Sequence, residues 1–205
     1  MIKRDLRKEL SACYNPKAGR VDVLQIPGFS VFMLDGAGNP NTTPAFQEAT
    51  SALYSLSYTL KFAVKASLQI DYPVLPLEGL WWTPDMSTFS LEKKDEWLWS
   101  LFIVQPDFVT SEMVEDARSQ AMKKRPNPFL ADIRFTVYDE GLCAQTMHLG
   151  PYAAEAPTMQ MLHQYIIDNG FAFNGKHHEI YLSDPRRTAP EKIKTILRQP
   201  IRRLE

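Results

Sequence analysis

The residues best suited to chemistry lie late in the chain, in His177-His178-Glu179-Ile180-Tyr181-Leu182. Aliphatic residues around a glutamate predict a strand. The two-residue period of a strand puts Glu179 on one face with His177 and Tyr181, and His178, Ile180 and Leu182 on the other. A carboxylate in an apolar run is unusual, because a buried one without a partner is costly and responds by taking up a proton. Glu179 is therefore either an edge carboxylate in water or one put to use. It could be the counter-charge of a cationic ligand or, when desolvated, a base acting on a water molecule. Tyr181 or Tyr152 could then hydrogen-bond an oxygen where negative charge develops. Trp81 and Trp82 are neighbours in Gly79-Leu80-Trp81-Trp82-Thr83 and point to opposite faces, so at most one lines a given cleft while the other packs in the core. Met147, on an alternating strand, is either core or an adaptable wall of a permissive pocket.

Other chemistries find no support in the residues. The four histidines (148, 163, 177, 178) form no HExxH, and the two cysteines, Cys13 and Cys143, have no spaced partners, so no metal is expected and no disulfide framework. Gly36-Ala37-Gly38 lacks a third glycine and a Gly-Lys-Ser/Thr ending and reads as a turn, so no nucleotide cofactor is implied. Gly28-Phe29-Ser30-Val31-Phe32 breaks the nucleophile-elbow pattern at its last position. The formal net charge is −1, with 44% hydrophobic and 23% charged residues, as in a soluble globular protein. No apolar run has the length of a membrane span, and MIKRDLRKEL lacks the apolar segment of a signal peptide, so a cytoplasmic protein is expected. Residues 1–20 hold six basic and two acidic residues and read as a solvated arm. Arg186, Arg187, Lys192, Lys194, Arg198, Arg202 and Arg203 near the other end read as a solvated basic face.

Around these candidates the elements recur. Val21 to Ile26 and Phe29 to Leu34 read as a strand pair. A helix over about 45–65 follows, with Pro44 in its first turn and Phe46, Ala49, Leu53, Leu56, Leu60 and Val64 on one side. After a proline-punctuated loop come the strand 79–83, a polar hairpin region and the strand 96–104, whose Trp97 and Trp99 read as structural. A charged helix over 111–125 connects to a second set: a hairpin of 133–138 with 142–149, a helix over 155–169 stopped by Gly170, and strands at 178–183 and 193–201. The segment 79–83 aligns with 179–183 at an offset of 100, and the two long helices align at an offset near 110. A duplication would place Trp81 on the same relative face as Tyr181. It would also set two sheets across a pseudo-twofold, with a cleft between them of the kind where small molecules bind.

Four segments make the chain resemble a GyrI-like small-molecule-binding domain, also the effector-binding domain of AraC-type and MerR-type multidrug regulators. They are Pro73 to Trp82, Ala144 to Tyr152, His178 to Pro185, and Pro190-Glu191-Lys192 through Thr195 to Ile201. The tryptophan pair is most similar to the free-standing branch, and the resemblance covers about residues 20 to 203. It implies an α+β fold: a tandem βαββ (SHS2-type) duplication with a hydrophobic central cleft. A polar arm (1–20) would precede one domain (21–203), made of repeats at about 21–105 and 130–203. It also implies aromatic walls and an acidic anchor that receive hydrophobic, planar or cationic compounds, with Glu179 at the family's cleft glutamate and Tyr181 its strand partner. Trp81, Trp82, Met147 and Tyr152 complete the expected ligand-binding set. Some free-standing relatives are implied to hydrolyse cyclopropane-bearing genotoxins, and that enzymatic alternative would use Glu179 and Tyr181 catalytically. A third reading, inhibition of a topoisomerase, follows from the family's name alone. The arm before the first strand is too short for a helix-turn-helix, so neither nucleic acid nor membrane is an expected partner. Nothing in the pattern sets an oligomeric state.

Overall fold

The computed structural model of the chain describes residues 1–85 and 93–204. The polar hairpin region expected between Thr83 and Glu96 falls largely outside them. In chain order the elements begin with the two-residue strand β1 (Ile2–Lys3) and the single-turn helices α1 (Leu6–Glu9) and α2 (Ser11–Tyr14). Strands β2 (Asp22–Ile26) and β3 (Phe29–Ala37) lead to the long helix α3 (Pro44–Leu68), then β4 (Ile70–Asp71), β5 (Glu78–Trp82) and β6 (Leu98–Val104). Helices α4 (Ser111–Lys124) and α5 (Phe129–Asp132) precede β7 (Arg134–Tyr138) and β8 (Gly141–Leu149). Helix α6 (Ala156–Asp168) and strands β9 (Phe171–Phe173), β10 (His177–Tyr181) and β11 (Lys194–Arg203) complete the chain. The α+β class and the three longer helices agree with the pattern of apolar residues.

Two compact units form, and neither is continuous in sequence. The first holds Met1–Glu9, Phe29–Leu77 and Trp82–Tyr138; the second holds Leu10–Gly28, Glu78–Trp81 and Asp139–Glu205. In the first, β3 lies between β6 and β7, antiparallel to both. Helix α3 starts at Pro44, whose missing N–H costs nothing there, and buries Ala49, Leu53, Leu56, Leu60 and Val64. Trp97 and Trp99 are buried, as expected of structural tryptophans. Strand β3 runs three residues past its expected end because Gly36 belongs to it. A Cβ at Gly36 would fall 2.0 Å from the Trp99 ring, so only glycine leaves room for that side chain.

In the second unit the strand order is β2-β8-β11-β10-β5, with β9 also pairing β11. All these ladders are antiparallel. Helix α6 covers one face through Leu162 and Ile166, which pack with Ala144, Phe171, Leu197 and Ile201. The other face is covered from residues 12–18, and here the solvated-arm expectation fails: Cys13 and Tyr14 are buried. Gln145 Nε2 donates to Ala12 O at 2.9 Å, Arg198 Nη2 to Cys13 O at 2.7 Å, and Tyr14 Oη to the Glu78 carboxylate at 2.5 Å. Arg198 likewise departs from the solvated basic face, being 1% exposed, whereas the Arg186 and Arg187 side chains are more than four-fifths exposed.

The two expected hairpins do not form. Strand β2 pairs with β8, and β3 pairs with β7. Proximity in sequence loses because the intervening Glu140 is buried and bonded to Arg198 and His178. That bonding fixes the β7–β8 link within the second unit instead of letting it close a turn. Among the described residues no helix is long and apolar enough to cross a membrane.

Candidate functional site

Three predicted site residues meet on the α6-covered face of the second unit. The register sets Gly79 opposite Glu179 and Trp81 opposite His177, and residues directly opposite in an antiparallel ladder share a face. Tyr181 lies farther along β10, so Trp81 reaches it only by leaning over position 79. Gly79 makes this possible: a Cβ there would sit 3.0 Å from Trp81 Nε1 and 3.2 Å from Tyr181 Oη. The result is a directional chain. Trp81 Nε1 donates to Tyr181 Oη at 3.0 Å, and Tyr181 Oη donates to Glu179 Oε2 at 2.8 Å. His177 Nε2 lies 3.3 Å from the other oxygen, Oε1.

Accessibility is graded along this chain. Trp81 is buried, the Glu179 side chain is 12% exposed, and Tyr152 stands at the rim, 36% exposed, with its ring edge-on to Tyr181 at 5.6 Å. Burial pushes the Tyr181 phenol well above its ordinary pKa, and the charges of Glu179 and of Glu155 at the start of α6 add to the effect. Tyr181 therefore stays protonated at neutral pH and acts as a donor. Because Trp81 occupies its oxygen, the phenolic proton is aimed at Glu179. Glu155, buried beside this group, was not singled out by the pattern, since it is read as an ordinary polar residue at a helix start.

Met147 and Trp82 are not brought to this chain. Met147 pairs with Ile196 and lies on the opposite face of the sheet, bridged to Ala18. Trp82, next after Trp81, alternates away from Glu179 and is half-buried. Among the described residues no group of three or more His, Cys, Asp or Glu is placed to hold a metal ion. A surface concavity of about 320 Å³ occurs in the first unit, lined by α3 and the α4–α5 link (Glu48, Ser51, Arg125, Asn127); none of the predicted site residues lines it.

The family description "GyrI-like small molecule binding domain" matches residues 20–202. The chain belongs to the GyrI-like family. Solved structures agree. A conserved protein from Listeria innocua is 39% identical over 98% of this chain and all of its own, with a TM-score of 0.90. A hydrolase from Listeria innocua is 38% identical with the same coverage and a TM-score of 0.87. The C-terminal domain of EcmrR, 15% identical over 90% of this chain and 98% of its own, has a TM-score of 0.57 and shares the fold. A search of curated proteins finds no match.

Proposed function

We propose that this GyrI-like protein binds hydrophobic, planar or cationic small molecules in the cytoplasm, with Glu179 as the anchor and Tyr152 as an aromatic rim. The observation that supports this reading is the Trp81–Tyr181–Glu179 chain, in which the Tyr181 phenol, oriented by Trp81, holds the carboxylate as a neutral donor. An aromatic contact with a cation contributes roughly 0.5–2 kcal/mol, and flat rings impose few hydrogen-bond demands, so broad selectivity follows.

A second reading, hydrolysis of cyclopropane-bearing electrophiles, is favoured by the similarity to the Listeria innocua hydrolase. In it Glu179 takes a proton from water as the oxygen bonds to a ring carbon. The strained carbon–carbon bond breaks, and its electron pair moves to a conjugated carbonyl oxygen, which takes up the proton that Glu179 removed from water and so returns Glu179 to a carboxylate. Tyr181, hydrogen-bonded to Glu179, would orient the base, and Tyr152, edge-on to Tyr181, would be the donor to the carbonyl oxygen. Neither reading calls for nucleic acid, a membrane, a cofactor or a metal.

The test is incubation with planar cations and cyclopropane-bearing electrophiles, following tryptophan quenching and product mass together. Quenching without product supports the binder. Product that saturates with substrate supports the hydrolase, and neither signal at millimolar ligand removes both.

A further inference from the structure

The strands that carry the candidate site also carry, on their opposite face, a buried charged quartet that the proposed function does not use. Glu78 of β5, His178 of β10, Arg198 of β11 and Glu140 of the β7–β8 link are each at most 2% exposed in their side chains. His178 Nδ1 is 2.8 Å from Glu140 Oε1, and His178 Nε2 is 3.0 Å from Glu78 Oε2. Arg198 Nη1 donates to Glu140 Oε2 at 3.2 Å, and its Nε donates to Gln145 Oε1 at 3.0 Å. The neighbouring titratable groups are Tyr14 and Cys13 of α2 and Cys143 of β8, which burial holds neutral.

Two carboxylates and one guanidinium leave one negative charge unanswered unless His178 is an imidazolium. Burial opposes that charge, but Glu140 and then Glu78 outweigh it and hold the imidazole above its ordinary pKa. Burial likewise opposes the Glu140 carboxylate, yet His178 and Arg198 keep it below the usual range. A buried set of this kind is strongly geometry-dependent, because each partner removed leaves an uncompensated charge. His178 lies between His177 and Glu179 in sequence, and Glu78 precedes Gly79. The contact of 3.0 Å between them therefore joins the two strands beside the pairs that build the Trp81–Tyr181–Glu179 chain.

We propose that the Glu78–His178–Glu140–Arg198 quartet positions the Glu179 site, holding β5 against β10 from behind so that the Trp81–Tyr181–Glu179 chain persists only while this face is charge-balanced. The proposal rests on reading the Glu179 face as the binding site. Its readout nevertheless needs no ligand, so the two ideas fail separately. Glu78, His178, Glu140 and Arg198 touch no ligand in this scheme and are positioning residues.

The experiment is hydrogen exchange of the Trp81 indole N–H, assigned with Trp81→Phe, at one pH near neutrality, with the Trp99 indole N–H of the first unit as internal reference. His178→Gln leaves the quartet one negative charge in excess, and Trp81 exchange is expected to quicken at least tenfold with Trp99 unchanged. Glu140→Gln/His178→Gln restores neutrality, with Arg198 answering Glu78, and is expected to recover most of the protection. A folded His178→Gln whose Trp81 exchanges at the wild-type rate overturns the proposal, as does a double variant no better than the single one. Should His178→Gln not fold, the wild type decides. As pH rises through the His178 titration, read from its imidazole resonances, the Trp81 indole resonance must shift with the same midpoint. A Trp81 resonance indifferent to that titration overturns the proposal. In parallel, unchanged binding in Glu179→Gln would remove the proposed function while leaving the exchange result to stand or fall alone.

Discussion

On one face of β5 and β10, Glu78, His178, Glu140 and Arg198 answer one another at 2.8–3.2 Å and are closed off from water. On the other, Glu179 meets the neutral phenol of Tyr181, with His177 at 3.3 Å and an exposed tyrosine at the rim. The same two strands, read at alternate residues, thus carry a saturated ion cluster and a carboxylate that no guanidinium or ammonium neutralises in the described contacts. On the proposed reading the first face holds the strands together, and the α6-covered face offers its carboxylate to a ligand.

The largest expected effect breaks the closed face. Arg198→Met leaves Glu140 and Glu78 facing His178 alone and should cost about 3–5 kcal/mol in urea unfolding, because a buried charge loses its partner. A loss below about 1 kcal/mol would mean the cluster is not balanced as described. Next comes Tyr181→Phe, which deprives Trp81 Nε1 of its acceptor and Glu179 of its donor. About 1–3 kcal/mol of stability should go, together with ligand affinity, measured by unfolding and by titration of the folded variant.

Gly79→Ala sharpens the comparison, because its Cβ meets side chains of the α6-covered face alone. Its Cβ presses on the Trp81–Tyr181 hydrogen bond, and about 1 kcal/mol of destabilisation is expected, with weaker binding, measured by unfolding and titration of the folded variant. The most gradual effect is the pH slope. His178 has a raised folded pKa, so its contribution is complete below the unfolded value of 6.5 and is lost as pH climbs through the folded one. Glu140, held low, contributes above its unfolded value of 4.5, and that contribution is lost as pH falls through the folded one. Stability should therefore be greatest between these limbs, falling no more steeply than about 1.4 kcal/mol per pH unit for one proton. A flat profile above pH 6.5 would contradict a charged His178.

Much of this was legible one strand at a time. Alternation alone put His177, Glu179 and Tyr181 on one face and separated Trp81 from Trp82. The apolar spacing of α3 gave its buried side. What depends on partners far away in sequence was not legible. Arg198 reads as one more basic residue near the chain's end, and partners distant in sequence, Glu140, Gln145 and the Cys13 carbonyl, make it a core residue. Glu78 sits among apolar residues just as Glu179 does, so the argument that singled out Glu179 applied to it equally, and only the second face distinguishes them. The alignment of 79–83 with 179–183 brought the right segments together without showing that they are antiparallel neighbours. The exchange of β2 and β7 between units is likewise invisible locally, because each strand satisfies its own alternation with either partner.

The most direct test of Glu179 as the anchor of a ligand compares two compounds of one shape. N-methylquinolinium and 1-methylnaphthalene differ in charge and hardly in size, and calorimetric titration gives the affinity of each for the wild type and for Glu179→Gln. The wild type should prefer the cation at least tenfold, about 1.4 kcal/mol. Glu179→Gln should abolish that preference while the neutral compound binds as before. Equal affinities in the wild type, or a preference that survives in Glu179→Gln, would contradict the account.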